Sequence, residues 1–255
     1  MDFCKVEREG RLLIVTMNRP DRLNALIPES HDEMAAIFNE FQADDTLDVA
    51  ILTGAGRGFC SGSDISAYVA GTNRPLPPEG GGGVTHNHGL TKPVIAAVNG
   101  VAMGGGFEIA LACDLLIASE EAAFALPEPL VGAAALGGGI FQLCRKLPYA
   151  IAMNLLLTGD RLSAADAHRH GLVNQVVPAG EALNAAKAVA AKIMRCAPVA
   201  LRATKQMAAL ALRAAPPEEA EREEAAARTR VMASEDFREG MAAFMERRKP
   251  VWRGR

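Results

Sequence analysis

Residues 93–118 read PVIAAVNGVAMGGGFEIALACDLLIA. Residues 93–98 are apolar and stop at Asn99-Gly100, the pattern of a strand running into a turn. Residues 105–113 (GGFEIALAC) are predicted as a helix that opens on glycine, and 114–118 (DLLIA) as a further strand. Strand, turn, helix and strand in such quick succession indicate an α/β domain with mostly parallel pairing. The helix begins on Gly104-Gly105-Gly106, although each glycine costs a helix about 1 kcal/mol relative to alanine. Two readings account for them. Close packing of the helix on a neighbour is one. The other is a set of unpaired N–H groups at the positive end of a helix dipole, suited to a developing oxyanion.

Working outward, residues 11–18 (RLLIVTMN) and 48–53 (DVAILT) are strand-like, and 173–177 (VNQVV) is a short strand before Pro178. Ser30 and Glu33 have capping-box spacing, followed by Met34, Ile37, Phe38 and Phe41 at helical intervals. Ser163 and Asp166 give another cap signal, closed by Gly171. Residues 180–213 and 218–248 are helical in pattern and are interrupted at Pro198 and Pro216-Pro217. The expected organisation is an α/β core over 1–195 and a helical region over 196–255. Residues 71–89 (GTNRPLPPEGGGGVTHNHG) deny both helix and strand and are expected to form a mobile surface loop, of the kind that often serves as a lid or binding loop.

The chain has 255 residues, 49% of them hydrophobic and 22% charged, with a net charge of −3. These values exclude a disordered chain. They give no electrostatic basis for binding nucleic acid or an anionic membrane surface. The apolar runs fall short of the roughly 18 residues that a membrane span needs. The charged N-terminus (MDFCKVEREGRLL) lacks the apolar segment of a secretion signal. Five cysteines without a CxxC pair are expected as reduced thiols in a cytoplasm. His86 with His88 and His168 with His170 are His-x-His pairs, too few ligands for a structural zinc site, so no metal is expected.

The residues that can carry chemistry are few. Thr53-Gly54-Ala55-Gly56-Arg57-Gly58-Phe59-Cys60-Ser61-Gly62-Ser63-Asp64 follows a strand and lacks both the dinucleotide fingerprint and the Gly-Lys-Ser/Thr of a P-loop. Its glycines expose backbone N–H groups all the same. Cys60 has no neighbouring base that would make it a nucleophile. Glu108 sits one turn inside an apolar helix, and Glu128 lies between Pro127 and Pro129 in a second apolar segment. A buried carboxylate is costly unless paired or functional. The two are therefore candidates for an acid/base pair, or for separate buried ion pairs.

Several of these segments, in order, resemble the enoyl-CoA hydratase (crotonase) superfamily. They are Asn18-Arg19-Pro20, Leu23-Asn24-Ala25-Leu26, the 53–65 segment, Asn99-Gly100 through Glu108, Pro127-Glu128, Leu157-Thr158-Gly159, Gly171-Leu172-Val173-Asn174 and the tail from Glu239 to Lys249. The resemblance implies a spiral of ββα units with a C-terminal helical region that builds a homotrimer or a hexamer. It implies an acyl-CoA thioester substrate and no separate cofactor, coenzyme A being part of the substrate. The thioester oxygen would lie between the backbone N–H groups of Ser63 and Gly105. Glu108 and Glu128 would be catalytic, and having both favours hydration over a double-bond shift. Coenzyme A would meet Arg22, Ser63, Asp64, Ile65, Ser66, Phe244 and Arg247. Carnitinyl-CoA-type dehydratases and isomerases share the scaffold, as do non-catalytic relatives. Two departures stand out. Ser66 and Ala67 occupy the place where hydratases often carry a lysine, and Ala133–Gln142 replaces the usual start of the helix that shapes the acyl pocket.

Overall fold

The computed structural model describes residues 2–72 and 74–255. Its first half comprises β1 (Cys4–Glu9), β2 (Leu12–Met17), α1 (Pro28–Ala43), β3 (Val49–Gly54), β4 (Gly58–Cys60), α2 (Ile65–Val69), β5 (Val94–Val98), β6 (Val101–Met103), α3 (Gly105–Ala112), β7 (Leu115–Ser119) and β8 (Ala123–Ala125). There follow α4 (Gly139–Lys146), α5 (Tyr149–Thr158), β9 (Leu162–Ser163), α6 (Ala164–Arg169), β10 (Gln175–Val177), α7 (Ala182–Ile193), α8 (Pro198–Leu212), α9 (Pro217–Ala233) and α10 (Glu235–Met245).

The strands form two sheets, in the orders β1-β2-β3-β5-β7-β10 and β4-β6-β8-β9. From β2 onward the larger sheet is parallel, and β3 and β5 are buried along their whole length, as expected of all-apolar strands covered on both faces. Each strand pair β3/β4, β5/β6 and β7/β8 sends its first member to the larger sheet and its second to the smaller one. The chain thereby winds as a spiral of ββα units. One face of the larger sheet packs on α7 through Ile14, Ile51, Ile95 and Ala186, and the other holds the main core with Phe38, Leu52, Phe107 and Phe124.

Two asparagines hold the turns between the sheets. Asn24 Nδ2 donates to the carbonyls of Ala55, Gly58 and Phe59. Asn99 Nδ2 donates to Gly56 and Gly58 while its Oδ1 accepts the Gly54 N–H. Such buried backbone groups need partners, and these are supplied by side chains.

The structure differs from the sequence expectations in definite places. Helix α1 starts at Pro28, not Ser30, with proline at a first-turn position where its missing N–H costs nothing. Ser30 Oγ reaches back to accept the Ile27 N–H, and Glu33 instead accepts backbone N–H groups from Phe3 and Cys4. Strand β1 was not expected, because its charged outer residues mask the alternation of an edge strand. The three-residue strands β4, β6 and β8 are too short to carry a period. Of the segment expected to be a mobile surface loop over 71–89, residue 73 lies outside the described residues and Gly80–Val84 is buried and folded onto α1. Ser163 caps α6 as expected, its Oγ accepting the Asp166 N–H at 3.0 Å.

Lys92 closes the C-terminal end of α1. It is fully buried, and its Nζ donates to Phe41 O at 2.8 Å and Asp44 O at 2.7 Å, 5.1 Å from the centre of the Phe41 ring. Burial pulls its ammonium down to about 8. Replacing Lys92 by methionine leaves the Phe41 carbonyl at the helix end without its donor, whereas the Asp44 carbonyl keeps the Leu47 N–H. The expected loss is about 1–3 kcal/mol for the orphaned group, read as a lower denaturant midpoint with an unchanged slope.

Candidate active site

The N-terminus of α3 is where the separate motifs meet. Gly104 stands at φ +51 and ψ −128, a conformation open only to glycine. A Cβ on Gly106 would fall 2.3 Å from Cys60 O, so this glycine lets α3 lie directly on β4. Gly105 is different: a Cβ there would meet only ordinary contacts, 3.8 Å from Leu26 Cδ1 and 3.9 Å from the Ser63 nitrogen. Close packing therefore accounts for Gly106 and leaves Gly105 unexplained. Ser63 is carried to Gly105 by Gly62, at φ +92, and by bonds from Leu26 N to Gly62 O and from Asp64 N to Leu26 O, both 2.8 Å. Among the described residues, neither the Ser63 nor the Gly105 N–H donates to a protein acceptor. Two free donors thus stand side by side at the positive end of a helix.

Glu108 lies one turn further along α3, which is fixed by the Phe107–Phe124 contact with ring centres 5.1 Å apart. Its carboxylate is buried, and Oε1 accepts the Gly139 N–H at 2.9 Å. Burial raises its pKa above the ordinary carboxylate value, while the N–H groups of Gly139 and Gly137 and the charge of His86 oppose that rise. Glu128 opens a 3-10 turn over Glu128–Val131. Its Oε1 lies 3.1 Å from where a Gly104 Cβ would stand, and its Oε2 is buried with no hydrogen-bond partner among the described residues. Burial raises the Glu128 pKa, its own backbone N–H opposes that rise, and the negative charge of Glu108 adds to it. Glu128, beside Gly104 at the start of α3, and Glu108, one turn further along it, are therefore near enough for the charge of one to act on the other.

Sequence reading did not anticipate the clamp on Glu108. A Cβ on Gly137 would lie 2.4 Å from Glu108 Oε2, and one on Gly139 would lie 2.9 Å from Oε1. The signal was present as a second glycine triplet, Gly137-Gly138-Gly139, inside the segment noted only as a departure.

The residues expected at coenzyme A divide into two groups. Arg22 is exposed in the turn Pro20–Arg22, and its carbonyl accepts from Ser61 Oγ at 3.3 Å, so it borders the 61–63 segment. Asp64 is engaged locally. Ser66 Oγ and N–H donate to its Oδ1, Arg19 pairs with it at 3.1 Å, and these contacts, Ser66 first, hold its carboxyl below the usual range. Ile65 is exposed next to it. Phe244 and Arg247 stand apart within this chain. They lie at the end of α10, which packs on α9, and Phe244 is 81% exposed. Among the described residues, no three His, Cys, Asp or Glu side chains are grouped as a metal site, and no helix is long and apolar enough to cross a membrane.

Residues 7–255 match the enoyl-CoA hydratase/isomerase family. The carnitinyl-CoA dehydratase of Proteus mirabilis is 41% identical over 252 residues, 96% of each chain. The crystal structure of an enoyl-CoA hydratase from Mycobacterium tuberculosis superposes over the full length of both chains with a TM-score of 0.94 and 42% identity. That of a carnitinyl-CoA hydratase from Mycobacterium avium does so with a TM-score of 0.79 and 39% identity. With the ββα spiral and the two neighbouring glutamates already in place, these likenesses show that the chain belongs to the enoyl-CoA hydratase/isomerase (crotonase) family.

Proposed function

We propose that the protein adds water across the 2,3 double bond of a 2-enoyl-CoA thioester. The observation that carries this reading is the unequal treatment of the two carboxylates. Among the described residues, Glu108 Oε1 accepts the Gly139 N–H whereas Glu128 Oε2 is buried with no partner; burial raises both carboxyls, opposed at Glu108 by the Gly139 and Gly137 N–H groups and at Glu128 by its own N–H. Glu108 is then the base and Glu128 the acid. Water held between them loses a proton to Glu108 as its oxygen bonds to Cβ. The electron pair of the double bond moves onto the thioester oxygen, between the Ser63 and Gly105 N–H groups. Glu128 then delivers its proton to Cα as the enolate collapses. Preorganised donors of this kind are worth roughly 10²–10³ in rate each.

The acyl-CoA would enter past Arg22 and Asp64–Ser66. A homotrimer or hexamer would bring Phe244 and Arg247 of one chain toward another. A second reading, dehydration of a 3-hydroxyacyl thioester of the carnitinyl type, is favoured by the names of relatives at 41% identity. It uses the same groups in reverse. Crotonyl-CoA and carnitinyl-CoA, each followed by the absorbance of the conjugated thioester, separate the two, and turnover of neither overturns both. For hydration, kcat/KM is expected to follow a bell with pH. Activity falls on the acid side as Glu108 takes a proton and on the alkaline side as Glu128 loses one. Both limbs lie above the ordinary carboxylate value, and Glu108→Gln removes the acid limb along with most of the rate.

A further inference from the structure

The segment Gly80–His86 is left unused by the two-glutamate reading, yet it joins the cleft to a distant helix. Gly80, Gly82 and Gly83 stand at φ +79, +59 and +68. A Cβ on Gly83 would fall 2.5 Å from Ala35 Cα of α1, and one on Gly82 2.6 Å from Ile109 Cδ1 of α3. The bare backbone thus lies directly on both helices. A glycine run has no side chains with which to hold itself, so its place depends on its backbone bonds. Across to α1, the Gly82 N–H donates to the buried His31 Nδ1 at 3.0 Å. Gly81 N–H donates to Thr85 Oγ1 at 2.8 Å, and His86 N–H to Glu79 O at 2.9 Å, which closes the loop on itself. At its far end, Thr85 O is 3.9 Å from where a Gly138 Cβ would stand, between the two glycines that clamp Glu108.

We propose that His31 is a positioning residue for the reaction: its unprotonated Nδ1 latches Gly80–His86 onto α1 and so fixes the cleft wall that faces Glu108. The proposal rests on the assignment of Glu108 as the base. His31 touches no substrate and acts through Gly82. A proton on Nδ1 ends the latch, because a ring N–H cannot accept. The charged groups that face His31 are Asp32, which favours that proton, and Arg74, which opposes it from an ion pair with Asp32. Burial opposes it more strongly, so the latch stays closed at neutral pH.

His31→Ala and His31→Asn test this directly. Asparagine puts a non-titrating amide oxygen near the place of Nδ1. His31→Ala is expected to lower kcat roughly tenfold to a hundredfold with little change in KM, as a displaced cleft wall would. It is also expected to speed hydrogen exchange at the Gly82 amide by a similar factor. His31→Asn restores both, and its kcat/KM falls in acid as one ionisation where the native protein falls as two. Native kcat in His31→Ala, or unchanged exchange at Gly82, overturns the proposal. If His31→Ala does not fold, an acid limb in His31→Asn identical to the native one overturns it. If the native protein turns over neither crotonyl-CoA nor carnitinyl-CoA, the two-glutamate reading falls instead, and exchange at Gly82 still decides the latch.

Discussion

Glu128→Gln is expected to lose hydration activity by about 10²–10⁴-fold, the usual worth of a positioned acid or base. Glutamine keeps the shape of the side chain but has no acidic proton for Cα. Stability is expected to move the other way. The folded-state pKa of Glu128 is raised by burial and then by Glu108, so ionising it costs the fold stability at any pH above the ordinary carboxylate value. The cost disappears as pH falls below that value, where the group is protonated in both states. At neutral pH the glutamine protein should therefore melt above the native one, and the difference should shrink in acid. Loss of activity together with a lower melting temperature would point to a structural role instead. Full turnover by Glu128→Gln would remove Glu128 from the mechanism.

Gly105→Pro is expected to cost about 10²–10³ in kcat, because it deletes one N–H of the proposed oxyanion site. The backbone can accept it. Gly105 is the first residue of α3, a position where proline is tolerated, and Gly104 at φ +51 and ψ −128 is the mirror image of the extended conformation that precedes proline. Gly105→Ala is the comparison: it keeps the N–H, and its Cβ finds only ordinary contacts. Its loss should be far smaller. Rates and circular dichroism on both proteins separate a missing donor from a damaged helix. Equal losses in the two would show that the space at Gly105, not its N–H, is what matters.

Legibility in the sequence followed the range of the physics. The apolar runs at 48–53 and 93–98 announce buried parallel strands, because a strand covered on both faces needs apolar residues throughout. Gly104–Gly106 stood out because a helix start does not spend three glycines without a backbone or packing reason, and the structure uses both. Glu108 was conspicuous as a carboxylate in an apolar helix. The alternation of β1 was hidden by its charges, and β4, β6 and β8 by their brevity. Gly80–Val84 looked mobile because glycine-rich sequence carries no packing signal. Its burial follows from helices α1 and α3, which are remote in the chain.

The amino-acid sequence by itself therefore determined the α/β class, the helical region at the end and the residue types of the cleft. These depend on periodicity, backbone freedom and the cost of burying charge, all readable within one segment. Tertiary structure alone decided that each strand pair divides between two sheets, that Glu128 comes within reach of the charge of Glu108, that Gly137 and Gly139 clamp Glu108, and that His31 holds Gly82. Desolvation and neighbouring charge raise the pKa of both glutamates, and both causes are supplied by elements distant in the chain that only the completed fold brings together.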